Sequence, residues 1–279
     1  MFETKEGLRL FEKFERPKGN ARALIVIVHG YGEHSGRYGH VVRRLVNAGY
    51  AVYVFDLRGH GRSSGARVFV RSFNEYLSDL EAYLTRVGER EPGRPLFILG
   101  HSLGGAIATL FAIDKKPDIS GLILSGPLLK LPGNISPLFI RLASLIGCIL
   151  PKLPIGNKVL ASLLSHDSKV VENYEKDPLT HHGGIPAGSA RAINCALKRI
   201  QNGMAGISLP LLIMHGTDDR LADVKGSKEL YRCARSTDKT LRLYDGFYHE
   251  ILNELGKEKP INEIITWLNK RTRWRRGIS

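Results

Sequence analysis

The chain predicts an α/β fold: a mostly parallel central sheet with helices on both faces and an inserted helical cap. Three observations predict it. Short apolar runs rich in Val and Ile alternate with amphipathic stretches of helical spacing. A Gly-x-Ser-x-Gly sequence stands at the junction of one such run and a stretch of small residues suited to a tightly packed helix. A block without this rhythm, residues 127–206, separates two regions that have it.

The elements follow in order. Leu8 to Phe14 alternates in part, as a half-exposed strand does. Ala23–Val28 and Ala51–Phe55 are apolar throughout, which suits strands covered on both faces. Between them, Val41, Val42, Leu45 and Val46 define a helix over Tyr38–Ala48, closed by Gly49. Phe73, Tyr76, Leu77, Leu80, Tyr83, Leu84 and Val87 define a second helix ending at Gly88. Leu96–Leu99 and Gly105–Phe111 flank the glycine-serine turn, and Leu122–Leu124, Leu211–Met214 and Thr240–Tyr244 read as later strands. Residues 1–126 and 207–279 thus form the core.

The stretch 127–206 is rich in Pro and Gly and reads as several short helices with no clear buried strand. Leu138–Leu150 within it is almost wholly apolar, with Arg141 its one charge. An insertion after the C-terminal end of a strand sits above the sheet, where such folds bind ligands. It is read as a lid, with an ordinary core subdomain as the alternative.

Composition narrows the setting. Three scattered cysteines (Cys148, Cys195, Cys233) have no metal-ligand spacing and read as reduced thiols. The opening Phe2-Glu3-Thr4-Lys5-Glu6 is charged, with no apolar signal region, and no run reaches the roughly 20 apolar residues of a membrane span. The expectation is a cytoplasmic protein, peripheral on membranes at most. Net charge is +14, with much of the excess in Lys270–Arg276. That tail could hold the protein near anionic phospholipid; a solvated tail that aids solubility is the other reading. No zinc-finger, RRM or helix-turn-helix pattern is present, so no nucleic-acid partner is expected.

Gly100-His101-Ser102-Leu103-Gly104 carries the chemistry. A serine at a sharp strand-to-helix turn projects its hydroxyl outward, and the flanking glycines remove Cβ atoms that would collide with neighbouring elements. A serine hydroxyl needs a base, and the base an anion to fix its tautomer; in this architecture they follow in the order Ser, acid, His. Asp218 and Asp219 follow the strand Leu211–Met214, and His249 is the only histidine beyond them. Order and strand-end position converge on Ser102, Asp219 and His249, with Asp218 kept as the alternative acid. For the oxyanion hole, Leu103 N–H follows the nucleophile, and Tyr31 N–H lies in the glycine-bearing loop after Val28. His29, His34 and His60 read as loop braces rather than metal ligands. No metal or cofactor is required.

These residues resemble the monoacylglycerol lipase family of α/β-hydrolases, which overlaps with lysophospholipases. The resemblance runs from about Leu24 to Trp267. It rests on His29-Gly30-Tyr31-Gly32-Glu33-His34-Ser35-Gly36-Arg37-Tyr38, Asp56-Leu57-Arg58-Gly59-His60-Gly61-Arg62-Ser63, the serine turn, Tyr174–Leu179, Gly216–Leu221 and Tyr248-His249. It implies the α/β-hydrolase fold and a serine ester hydrolase that frees a fatty acid from monoacylglycerol or another single-chain lipid ester. The alternative is a lysophospholipase or broad carboxylesterase. It implies Ser102 as nucleophile, Asp219 as acid and His249 as base, and it implies that Glu33, Arg37 and Tyr174 line a polar pocket for the glycerol hydroxyls. It also implies that Leu138–Leu150 docks on membranes. Two positions depart from the family: Tyr31 stands where a smaller residue is usual, and Leu252 where some relatives have a second histidine near the headgroup.

Overall fold

The computed structural model describes residues 1–4, 6–133, 135–156 and 159–272. Seven strands form the central sheet: β1 (Glu12–Glu15), β2 (Leu24–Val28), β3 (Ala51–Phe55), β4 (Leu96–His101), β5 (Gly121–Ser125), β6 (Leu211–Gly216) and β7 (Lys239–Tyr244). Their order is β7-β6-β5-β4-β2-β3-β1, and every pairing is parallel except β1 against β3. The α/β-hydrolase architecture is therefore present, with one antiparallel edge.

Strand residues alternate between two apolar layers, as a period of two requires. Leu24, Val26 and Val28 face the layer that includes α2 (Asn74–Arg90), α3 (Leu103–Lys115) and α6 (Ala187–Gly203). Ile25 and Ile27 face the layer of α1 (Gly39–Asn47) and α8 (Glu258–Arg271), while α7 (Val224–Cys233) joins β6 to β7. From β2 the chain steps outward to β3, then crosses back to β4 on the other side of β2. That reversal opens a crevice at the C-terminal ends of β2 and β4, where open α/β sheets bind ligands.

The expected elements are present with shifted edges. The Leu8–Phe14 strand divides: Arg9–Leu10 pairs with Phe2–Glu3, and Glu12–Glu15 joins the sheet edge as β1. The expected stop at Gly88 is overrun, α2 continuing to Arg90; a Cβ at Gly88 would meet nothing within 4 Å, so this glycine serves no close approach.

Residues 127–206 hold α4 (Pro137–Ile149), α5 (Ser168–Lys176), α6 and a two-stranded ribbon of Pro154–Ile155 with Ile185–Pro186. The expectation of short helices fails at α6, a helix of 17 residues. Ala192, Ile193, Ala196, Leu197 and Ile200 give it one apolar face, packed into the same layer as α3. The small residues of that face bring the two helices close.

The turn after β4 is packed with no room for further carbon atoms. A Cβ on Gly104 would lie 2.1 Å from the Val28 carbonyl oxygen, and one on Gly100 2.6 Å from the Gly104 carbonyl oxygen. Both clashes are with backbone, so neither neighbour can rotate away. Gly104→Ala is expected to cost at least about 3 kcal/mol in urea unfolding, whereas Gly88→Ala is expected to be neutral or stabilising by up to about 1 kcal/mol.

Candidate active site

Ser102 joins β4 to α3 with φ 51° and ψ −116°. A non-glycine residue there costs about 1–3 kcal/mol, and the surroundings enforce it. Its N–H donates to the Ser125 carbonyl at 3.1 Å, and its carbonyl accepts from Leu128 N–H at 3.0 Å. The side chain is left facing the crevice.

Two distant loops meet it. His249, in the loop after β7, lies with Nε2 2.8 Å from Ser102 Oγ and Nδ1 2.7 Å from Asp219 Oδ2. An ionised carboxylate only accepts, so Nδ1 carries the proton and Nε2 is free to accept from the hydroxyl. Asp219 sits in the loop after β6 with its side chain fully buried. Its Oδ1 accepts from the N–H groups of Leu221 (2.8 Å) and Ala222 (2.9 Å). Asp218 points to solvent instead, its carboxylate accepting from Thr217 Oγ1 at 3.2 Å. Neighbouring acids in an extended loop face opposite ways, which separates the two candidates.

One residue at this junction escaped the sequence reading. His215, fully buried at the end of β6, brings Nε2 to 3.0 Å from Asp219 Oδ2, while its Nδ1 lies 2.8 Å from Ser227 Oγ. The signal was its place three residues before the acid pair at a strand's end, but chain order alone gave it no role.

Electrostatics follow from these contacts. Burial opposes ionisation of Asp219, yet the imidazole of His249 and the hydrogen bonds from His215 and His249 outweigh it, and the carboxyl is held well below its usual range. Burial likewise disfavours the charged form of His249. The Asp219 carboxylate, aided by Glu250 and Glu33, wins and raises it above the ordinary imidazole value.

The segments that carry the two expected oxyanion donors both adjoin Ser102. Leu103 is the first residue of α3, where helix N–H groups have no intrahelical partner. Gly30, just before Tyr31, is so close that a Cβ on it would stand 3.1 Å from Ser102 Cβ. Glu33 Oε1 closes this turn by accepting from Gly30 N–H at 2.6 Å.

A cavity of about 540 Å³ opens over Ser102 and His249, with an apolar wall that includes Leu131, Phe139, Ile140, Leu160 and Ile193. Glu33 and Tyr174 reach it, and the Tyr174 hydroxyl is buried with no hydrogen-bond partner among the described residues. Arg37, which the resemblance implied for the glycerol pocket, packs behind Tyr174, its Cζ 5.0 Å from the ring centroid. It does not line the cavity; its guanidinium is engaged by Glu33 at 2.9 Å and by Glu250 at 2.8 Å. Leu252 is likewise buried in the α1/α8 layer rather than at the cavity.

His29, His34 and His60 are each held by hydrogen bonds within or between loops. His29 Nε2 accepts from Leu57 N–H at 2.9 Å, His34 pairs with Asp177 at 2.8 Å, and His60 Nδ1 meets the Arg58 carbonyl at 2.9 Å. Among the described residues no group of three or more His, Cys, Asp or Glu side chains could hold a metal ion.

A serine–imidazole–carboxylate chain on this sheet, its imidazole and carboxylate buried, defines a serine hydrolase of the α/β-hydrolase fold, and the comparisons place it among carboxylic ester hydrolases. The chain belongs to the family described as serine aminopeptidase S33, whose profile matches residues 19–256. It is 36% identical to a monoacylglycerol lipase of Mycolicibacterium smegmatis over 262 residues, 94% of this chain and 93% of that protein. It is 35% identical to the monoglyceride lipase of Homo sapiens over 270 residues, 96% and 89% of the two chains. The crystal structure of the Paleococcus ferrophilus monoacylglycerol lipase superposes with a TM-score of 0.86 at 31% identity, covering 94% of this chain and 99% of that one. The resemblance seen in the motifs therefore extends over nearly the whole chain.

Since the base must be unprotonated, kcat/KM is expected to fall as pH drops through a value above 6.5, the ordinary imidazole pKa. Asp219→Asn removes the charge that raises it. The acid limb should then move to lower pH while kcat falls by about 10⁴-fold. Asp218→Asn should leave pH–rate profiles unchanged.

Proposed function

We propose that this protein hydrolyses monoacylglycerols through an acyl-enzyme at Ser102. The observation that carries the reading is the 2.8 Å and 2.7 Å hydrogen-bond chain Ser102–His249–Asp219 opening into an apolar cavity.

Ser102 Oγ attacks the ester carbonyl carbon as its proton passes to His249 Nε2, and Asp219 stabilises the imidazolium. The tetrahedral oxyanion accepts from Tyr31 N–H and Leu103 N–H, each such donor contributing about 3 kcal/mol to the barrier reduction. Collapse expels the glycerol oxygen, which takes the proton from His249. Water then attacks the acyl-Ser102 ester, giving its proton to the same nitrogen, and the fatty acid leaves with Ser102 restored. In the cavity each buried CH₂ of the chain contributes about 0.8 kcal/mol of binding. The unpartnered Tyr174 hydroxyl is the group best placed for the glycerol hydroxyls, because Glu33 and Arg37 are committed to each other and to neighbours.

The region 127–206 acts as the lid, and α4 is its lipid-facing part. Phe139, Ile140, Ala143 and Ser144 turn toward the cavity. Leu138, Leu142, Leu145 and Ile149 form a stripe on the opposite side, with Leu138 64%, Leu145 61% and Ile149 79% exposed. Residues 119–166 contain no Asp or Glu, while Lys130, Arg141 and Lys152 lie among them. An apolar stripe amid cations alone suits peripheral contact with anionic phospholipid from the cytoplasmic side. No helix of the described residues is long and apolar enough to cross a membrane. Of the basic tail, Lys270 and Arg271 end α8, and residues 273–279 lie outside the described residues.

A second reading, hydrolysis of lysophospholipids by the same chemistry, is favoured by Arg220, a cation on the cavity wall that could meet a phosphate.

Ser102→Ala is expected to lower monoolein hydrolysis by about 10⁶-fold, measured as released oleate. Comparing wild-type rates on monoolein and lysophosphatidylcholine decides the substrate: a preference above tenfold for the phospholipid would favour the second reading. Leu138→Glu with Leu145→Glu should slow hydrolysis of monoolein carried in anionic vesicles by at least about tenfold, at about 1 kcal/mol or more per lost anchor, and leave a water-soluble ester unaffected.

A further inference from the structure

We propose that Arg37 is a positioning residue whose guanidinium locks the oxyanion turn to the histidine loop and so fixes where the donors stand relative to the base. This inference rests on the Ser102–His249 reading above.

Arg37 lies in the short helical turn Ser35–Tyr38, between the two loops it joins. On one side its Nη1 donates to Glu33 Oε2 at 2.9 Å. The other Glu33 oxygen accepts from Gly30 N–H at 2.6 Å and from the Tyr38 hydroxyl at 2.7 Å. Gly30 N–H immediately precedes Tyr31 N–H, so the orientation of the oxyanion donor passes through Glu33. On the other side Nη1 and Nη2 grip the two oxygens of Glu250, with the Nη2 bond at 2.8 Å. Glu250 is the residue after His249, and Asn253 Nδ2 steadies it with a 2.8 Å bond. From the cap, the Tyr174 ring covers the guanidinium, with its centroid 5.0 Å from Cζ.

One side chain therefore spans three parts of the site that the sequence keeps far apart. The strut is also dry: the Arg37 side chain is 10% exposed and those of Glu33 and Glu250 4% each. Burial of Glu33 is outweighed chiefly by the Arg37 guanidinium, and its carboxyl is brought to about 2. A planar fork can hold both acids at fixed angles; an ammonium is a point charge on a flexible stem and cannot. A shift of about 1 Å between reacting groups costs about 10²-fold in rate, so a loosened strut acts on turnover before it acts on binding. Direct contact with the glycerol headgroup makes a different demand: it would matter only for substrates that carry glycerol.

The test compares wild type, Arg37→Lys and Glu250→Gln as full chains on monobutyrin and p-nitrophenyl butyrate, which share an acyl group but not a headgroup. Rates are normalised to sites titrated by a fluorophosphonate, so unfolded protein is not counted. For Arg37→Lys, kcat is expected to fall by about 10²-fold on both esters, with KM within about threefold of wild type. Glu250→Gln, the milder change, is expected to show the same pattern at about tenfold, and it carries the test should Arg37→Lys fail to fold. A loss confined to monobutyrin, a KM rise with kcat held, or an unchanged kcat in both variants would overturn the proposal. Failure of the underlying reading shows separately, as Ser102→Ala that still hydrolyses both esters.

Discussion

A backbone contact with no room for one more carbon governs this molecule. Gly104 of α3 lies against the carbonyls of Val28 and His29 at the end of β2, while Gly100 of β4 faces the Gly104 carbonyl. That approach forces Ser102 into positive φ and sets the first turn of α3 beside the loop that follows β2. Packing alone thereby sets the Ser102 hydroxyl, the start of α3 and the Gly30 turn side by side. The strain of about 1–3 kcal/mol at Ser102 is offset by the apolar layers on both faces of β4, where Phe97, Ile98 and Leu99 are fully buried.

Onto this rigid turn the later strands add charge. Asp219 Oδ1 takes two backbone N–H groups while Oδ2 faces both His215 and His249, so a fully buried carboxylate remains ionised. The same sign of charge recurs beneath the imidazole, where Glu33 and Glu250 share Arg37. Negative charge on two sides of His249 favours its protonated form, the form that a proton taken from serine creates. Apolar side chains from residues 127–206 line the cavity over the hydroxyl, which lowers the local dielectric and strengthens each of these interactions.

Much of this was legible in the chain, and the boundary is physical. Strand and helix positions followed from period, and the serine turn from local residue types. His249 and Asp219 emerged because chain order in this fold is restrictive, and the structure brings His249 within hydrogen-bond reach of both Asp219 and Ser102. The choice between Asp218 and Asp219 turned on which carboxylate could receive the Leu221 and Ala222 N–H groups, a matter of loop conformation that composition does not encode. The setting of Arg37 was hidden for a related reason. A resemblance conveys residue type, but the partner that grips Arg37, Glu250, is 213 positions away. The length of α6 was obscured by Arg191, Lys198 and Arg199 on its outer face, interleaved with the alanines that pack inward.

The most direct measurement is a crystal structure of the protein after reaction with an alkyl fluorophosphonate. Phosphorus should be bonded to Ser102 Oγ, with the phosphonyl oxygen about 3 Å from both Tyr31 N and Leu103 N and the alkyl chain in the cavity beneath α4. A phosphonyl oxygen directed away from those two N–H groups, or an adduct on any other residue, would contradict the arrangement of nucleophile and donors described above.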